Sequence, residues 1–226
     1  MTIEEYFGDW KNVIDLKTLS SIINKVQYIK PICPIHKDIF KAFELCPFKS
    51  LRVVLLGQDP YNNFVNGIPV ATGIAFANSK DTPEGSYSPS LEILRESVID
   101  FTTPHSGVIF DQSLEKWEEQ GVLCLNSALT CLPGKPESHT LLWRPFISTF
   151  LQNLSAQTTG IVYVLMGSVA QTFEPYILKD SNHVIRIRHP AYYARNQTRM
   201  PSDIWKEIND ILIGQNGYGI EWYKEL

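Results

Sequence analysis

Three short segments of this 226-residue chain gather side chains able to handle a proton or hold a polar ligand. In Gly57-Gln58-Asp59-Pro60-Tyr61-Asn62 an acidic and an aromatic residue flank a proline of fixed φ, so the carboxylate is held rigidly toward whatever it faces. The same composition also makes an ordinary tight turn. Asn126 directly follows the apolar Val122-Leu123-Cys124-Leu125 and offers a donor and an acceptor in one plane, which suits the edge of a nucleobase. An asparagine there also serves as a plain strand-end cap. In Arg186-Ile187-Arg188-His189-Pro190-Ala191-Tyr192-Tyr193-Ala194-Arg195 a histidine precedes a rigid proline among two aromatics and three arginines. A lone histidine is more often structural; these neighbours favour a functional imidazole.

Each segment follows a short apolar run. Residues 52–56, 121–125, 160–165 and 183–187 are apolar nearly throughout instead of alternating, the pattern of strands covered on both faces. Residues 90–101, 113–120, 143–154 and 168–178 have helical periodicity and supply crossovers. The expected fold class is therefore α/β, a three-layer α/β/α sandwich around a central four-stranded parallel sheet. In such a sheet the ligand crevice lies beyond the C-terminal strand ends, here residues 57–63, 126–130, 167–168 and 188–196. Ahead of the sheet, Thr2-Ile3-Glu4-Glu5 has the capping-box pattern of a helix reaching about Val26. Pro31 and Pro34 separate it from a second helical stretch with Ile35, Ile39, Phe43 and Leu45 roughly on one face. No repeat or linker divides the chain. One domain is expected, with residues 1–47 as helical scaffold and residues 48–226 as catalytic core.

Composition narrows the function classes. With 44% hydrophobic and 19% charged residues the chain can bury one sizeable core. No apolar run is long enough to span a bilayer, and Glu4, Glu5 and Asp9 stand where an export signal would be basic, so an intracellular, non-membrane protein is expected. Cys33, Cys46, Cys124 and Cys131 have irregular gaps and no C-x-x-C pair, and Cys33 with His36 has no second pair to complete a metal site; all four read as free thiols. A net charge of -4 argues against a nucleic-acid partner. That total averages over residues 81–120, at -7, and residues 181–200, where Arg186, Arg188, Arg195 and Arg199 face no acid. The positive stretch coincides with the His189 segment.

Taken together and in order, the segments resemble the uracil-DNA glycosylases, the family with the signatures G-Q-D-P-Y-H and H-P-S-P-L-S. The resemblance runs from about Phe48 to the C-terminus. It covers Gly57-Gln58-Asp59-Pro60-Tyr61, Gly73-Ile74-Ala75-Phe76, Pro89-Ser90-Leu91-Glu92, Gly121-Val122-Leu123-Cys124-Leu125-Asn126, Ser138-His139, Gly167-Ser168-Val169-Ala170-Gln171, His189-Pro190 and the ending Ile220-Glu221-Trp222-Tyr223-Lys224-Glu225-Leu226. It implies a monofunctional hydrolase that flips deoxyuridine out of DNA, cuts its N-glycosidic bond and starts base-excision repair, with no metal or cofactor. The family roles put Asp59 beside the cationic sugar and the attacking water, and make His189 the donor to uracil O2. Gln58, Tyr61, Phe76 and Asn126 form the base site: Asn126 rejects cytosine, Tyr61 blocks the C5 position and Phe76 stacks. Asn62, Pro89, Ser90, Gly167, Ser168, Pro190, Tyr193 and Arg195 are the implied DNA contacts, although Ser90 and Ser168 also stand where helix caps would. The implied partner is uracil-containing DNA, single- or double-stranded, bound by a monomer, cytoplasmic in a bacterial or viral setting and nuclear in a eukaryotic one. An inhibitor protein or replication partner is left open.

The sequence departs from the family pattern at three places. Asn62 replaces the signature histidine and keeps only a neutral donor. The stretch between Tyr61 and Gly73 is about four residues longer than the usual pattern and carries Phe64, Val65, Ile68 and Pro69. Ala191 stands at a phosphate-binding serine, and Tyr193 at the leucine that wedges into the vacated base stack. Two competing readings follow: a glycosylase for a modified pyrimidine, and a non-enzymatic DNA- or partner-binding homologue. Intact Asp59, Asn126 and His189 weigh against the second, and Tyr61 against bulky C5 substituents in the first.

Overall fold

The computed structural model describes residues 2–99 and 107–226. The chain runs through α1 (Ile3–Phe7), α2 (Leu16–Val26), α3 (Lys41–Leu45), β1 (Val53–Gly57), a hairpin of β2 (Phe64–Val65) and β3 (Ile68–Pro69), α4 (Pro89–Ile99) and β4 (Val108–Ile109). There follow α5 (Glu115–Glu119), β5 (Val122–Asn126), α6 (Thr140–Gln157), β6 (Val162–Met166), α7 (Ser168–Gln171), β7 (His183–Ile187), α8 (Pro190–Asn196), α9 (Asp203–Asn216) and β8 (Lys224–Glu225), which pairs with β4.

β5, β1, β6 and β7 lie side by side in that order, all parallel. Val53 is level with both Val122 and Val162, so the strands finish together and their C-terminal loops emerge at one edge. Alternate residues feed two cores, because successive side chains on a strand point to opposite faces. Val54, Leu56, Leu123, Leu125, Tyr163 and Leu165 pack with Ile22 of α2 and with Phe146, Phe150 and Leu154 of α6. Val53, Leu55, Val122, Cys124, Val162 and Val164 pack with Leu91 and Leu94 of α4, Trp117 of α5 and Trp205, Ile208 and Leu212 of α9. Each such aliphatic side chain contributes about 1.5–3 kcal/mol on burial. The α/β three-layer expectation therefore holds, with helices on both faces of a four-stranded parallel sheet.

Some local expectations change. β7 is an edge strand with His183 and Arg186 exposed, and Arg186 pairs with Glu174 instead of packing. The N-terminal capping box forms between Thr2 and Glu5, but the helix stops at Gly8, whose φ of 51° breaks it; α2 restarts under an Asp15 side-chain cap. Residues 168–178 form only the short α7 and a 3₁₀ turn at Glu174–Tyr176. The helix expected over 90–101 runs to Ile99 as α4; residues 100 and 101 lie outside the described residues. All four cysteines are buried and free, and the described residues contain no cluster suited to a metal ion. No helix among them is long and apolar enough to cross a membrane.

Glu118 of α5 is fully buried, accepting the Cys124 N–H at 2.9 Å. Burial holds its pKa well above the ordinary carboxylate range, so the folded state keeps the proton that the unfolded chain loses as pH rises. Stability is then highest below the unfolded pKa and declines above it. Glu118→Gln, neutral at every pH, is expected to gain progressively on the parent as pH rises from about 4 to about 8. Urea unfolding across that range measures it, and parallel stability profiles would contradict a buried neutral acid.

Candidate active site

The C-terminal ends of the four parallel strands open on a cleft of about 650 Å³. Gln58, Asp59, Tyr61, Asn62, Phe76, Ser90, Asn126, Gly167, Ser168, His189 and Arg195, all expected there, line it. Pro89, Pro190 and Tyr193 do not.

The β1–β5 side is built around a missing side chain. Gly57 is level with Asn126, and the following loops are tied together: Ser127 N–H donates to Gly57 O at 3.1 Å, and Ala128 N–H to Gln58 O at 2.9 Å. A Cβ on Gly57 would stand 2.6 Å from Asn126 Oδ1 and 2.8 Å from Phe76 Cζ, so only glycine lets the amide and the ring close over this point. Phe76 itself has φ 68°, a left-handed conformation that costs a non-glycine residue on the order of 1–2 kcal/mol. Tyr61 OH donates to Phe76 O at 2.8 Å and helps hold that strained turn. The Asn126 amide has no hydrogen-bond partner among the described residues, so both its donor and its acceptor are available to a ligand.

The two titratable groups reach the cleft from different strands. Asp59 follows β1, and its Oδ2 accepts the Glu137 N–H at 2.7 Å. Burial raises its pKa; the Glu137 N–H opposes that rise and the Glu137 charge adds to it. His189 ends the segment after β7 and caps α8: its Nδ1 accepts the Ala191 N–H at 3.1 Å. Burial, helped by the Arg195 charge, pulls its pKa down to about 4. A ring whose Nδ1 accepts and which is neutral carries its proton on Nε2, so His189 is poised as a neutral donor. Its ring centroid lies 5.6 Å from that of Phe76.

Backbone placement supports the rest of the wall. Gly167 has φ 96°, and a Cβ there would meet His189 Cβ at 2.8 Å. Its N–H and the Gln171 amide both donate to Ile187 O, at 2.8 and 3.0 Å, fixing the β6–α7 turn against the end of β7. Asn78 brackets Ser88, accepting its N–H at 2.7 Å and donating to its Oγ at 2.9 Å, which sets the approach to Ser90 in the first turn of α4.

Tyr193, the residue expected as the wedge, does not line the cleft. Residues 190–196 form α8, a helix whose turn carries Tyr193 into the α4–α9 core, 9% exposed, and presents Tyr192 to the cleft. Arg188 lies over the Tyr192 ring at 4.3 Å from its centroid. Arg188, Tyr192 and Gln171 also line the cleft, although the sequence gives none of them a site role. Helical periodicity after His189-Pro190 was the signal for Tyr192, since proline is favoured at the first helical position. Ser138 and His139 have a supporting role: Ser138 Oγ accepts the Leu132 N–H, and His139 is buried on Thr130, which in turn accepts from Trp143. Chemically, the cleft presents a flat aromatic wall, an unpaired amide, a neutral imidazole donor and a half-buried carboxylate. That set suits a planar, polar-edged heterocycle with positive charge developing beside it.

Comparison with known proteins agrees with this geometry. Residues 43–213 match the family model described as the Uracil DNA glycosylase superfamily. The uracil-DNA glycosylase of Vibrio campbellii is 31% identical over 225 residues, 97% of this chain and 91% of that protein. That of Coxiella burnetii is 34% identical over 197 residues, 85% of this chain and 81% of that protein. In fold, the crystal structure of mimivirus uracil-DNA glycosylase superposes with a TM-score of 0.75 at 21% identity, covering 98% of this chain and 93% of that one. A family match across most of the sheet and its crossovers, joined by relatives of this identity along nearly the whole length, makes the chain a member of the uracil DNA glycosylase superfamily.

Proposed function

We propose that the protein is a uracil-DNA glycosylase, a hydrolase that releases uracil from DNA and leaves an abasic site, acting as one domain with residues 1–47 as scaffold. The observation that carries this reading is the convergence of Asp59 and a neutral His189 on one cleft that also holds an unpaired Asn126 amide.

A flipped deoxyuridine stacks its base on Phe76 while Asn126 donates to O4 and accepts from N3–H; cytosine presents the opposite polarity at both atoms and leaves the amide mismatched. Tyr61, fixed by its bond to Phe76 O, blocks the space a C5 methyl would need. As the C1′–N1 bond breaks, its electron pair leaves with uracil and positive charge builds on the sugar. Ionised Asp59 stabilises that charge, orients the water that adds to C1′ and takes the proton that water loses, while the Nε2–H of His189 supports the negative charge on O2 without giving up its proton. Asn62, Ser90, Gly167, Ser168 and Arg195 contact the strand on either side, largely through main-chain amides and neutral donors, a reading supported by their position in the cleft wall. The aromatic that meets the gap in the stack is Tyr192, because Tyr193 is committed to the core.

Incubation with a uracil-containing oligonucleotide should yield abasic sites, and Asp59→Asn and His189→Leu should each slow release by about 10²–10³-fold. Unchanged rates in both variants would sink the mechanism. Gly57→Ala closes the gap between Asn126 and Phe76 and is expected to cut release at least about tenfold while the protein still unfolds cooperatively. Because the His189 pKa is lowered to about 4, the donor form persists through the usual histidine range. Release is therefore expected to stay flat between about pH 6 and about pH 8, and a rate that halved with a midpoint near 6.5 would contradict the assignment.

A further inference from the structure

We propose that Glu137, a residue outside every family motif seen in the sequence, is a positioning residue that clamps Asp59 and Gln58 together; the proposal rests on the glycosylase reading above. Glu137 reaches the loop after β1 with both its main chain and its side chain. Its N–H donates to Asp59 Oδ2 at 2.7 Å, and its Oε1 accepts from Gln58 Nε2 at 2.9 Å. The residue has φ 62°, a left-handed backbone that favours glycine, and its side chain is exposed, so packing gives no reason for a glutamate here. A glycine would place the same N–H with less strain. What the glutamate adds is the tether to Gln58 and a negative charge beside the carboxylate.

Those two additions act in different ways. The tether restrains the amide next to Asp59 and so fixes the loop that carries both. The charge opposes ionisation of Asp59, whereas the N–H favours it. Other groups near Asp59 supply little charge: Cys131 lies beneath Pro60 as a neutral thiol held by burial, His189 across the cleft is neutral, and Arg195 acts on His189. Glu137 is therefore the charged neighbour that adjusts the pH at which Asp59 becomes active.

Two substitutions separate tether from charge. Glu137→Gln keeps an acceptor for Gln58 and removes the charge; Glu137→Gly keeps the left-handed backbone and the N–H to Asp59 but removes both. At neutral pH kcat is expected to stay within about twofold of the parent for the glutamine variant and to fall about tenfold for the glycine variant. In both, the acid limb of the pH–rate profile should move to lower pH, and the Asp59 carboxyl titration followed by carbon NMR should move with it, whether or not the protein turns over. A purely structural residue would lower the unfolding midpoint and the rate together and leave that titration in place. An unmoved Asp59 titration, or a glutamine variant no better than the glycine one, overturns the proposal. If the parent released no uracil, the function reading would fall, while the NMR titration would still decide whether Glu137 governs Asp59.

Discussion

Desolvation at the strand ends acts on two side chains in opposite directions, and the site is arranged around that constraint. Taking Asp59 and His189 partly out of water pushes each toward its neutral form, so the imidazole benefits from the surroundings that threaten the carboxylate. For His189 burial is joined by the Arg195 charge, and the Ala191 N–H on Nδ1 selects the tautomer. For Asp59 the structure supplies a backbone N–H from a loop 78 residues further along, a charge-assisted bond that favours the ionised form. Both solutions depend on the parallel sheet. Strands that finish level bring the loops after β1, β5, β6 and β7 to one edge, so groups far apart in sequence can be set against each other with little local strain.

Backbone strain also reaches the cleft, although Asn66, Leu114 and Gln197 carry positive φ elsewhere. Phe76 and Glu137, both non-glycine residues with positive φ, lie in the cleft wall and on its Asp59 flank. Gly57 and Gly167 occupy the two points where a Cβ would collide with Asn126, Phe76 or His189. Small residues on the strand ends and strained residues on the loops together bring aromatic and polar side chains closer than regular structure permits, an arrangement that persists only because the surrounding core over-determines it. The two hydrophobic layers supply that rigidity, with Phe146 and Phe150 on one face and the Trp117, Trp205 and Trp222 cluster on the other.

The sheet was legible because its strands are buried on both faces and therefore read as apolar runs ending in polar loops. β1, β5 and β6 fit that rule, and β7 was placed correctly although half of it faces solvent. The cleft was legible for the same reason: its residues sit just past the runs. Less was readable where the outcome depended on local competition. Between Phe7 and Leu16 the apolar spacing is helical, yet Gly8 and the Asp15 cap divide the segment. After His189, motif register puts Tyr193 at the opening, whereas in the helix that Pro190 starts Tyr193 is buried and the half-buried Tyr192 lines the cleft. Glu137 carried no sequence signal, since its contacts with Asp59 and Gln58 depend on loop conformation alone.

The same limit applies to charge, where the whole-chain value conceals which ions face the cleft. Several acids that make the total negative are already paired: Glu115 with Lys41 and Lys80, Glu119 with Lys116, and Glu92 with Arg95. Glu174 is paired too, and Arg186 and Lys179 hold its pKa down to about 2. Arg186, counted from the sequence as part of the basic stretch, is thereby spent on a surface ion pair away from the cleft, while Arg188 and Arg195 stand at its lip with no carboxylate partner among the described residues. Two unpaired guanidiniums beside a pocket focus a positive field on the approach to it even when the molecule as a whole is acidic.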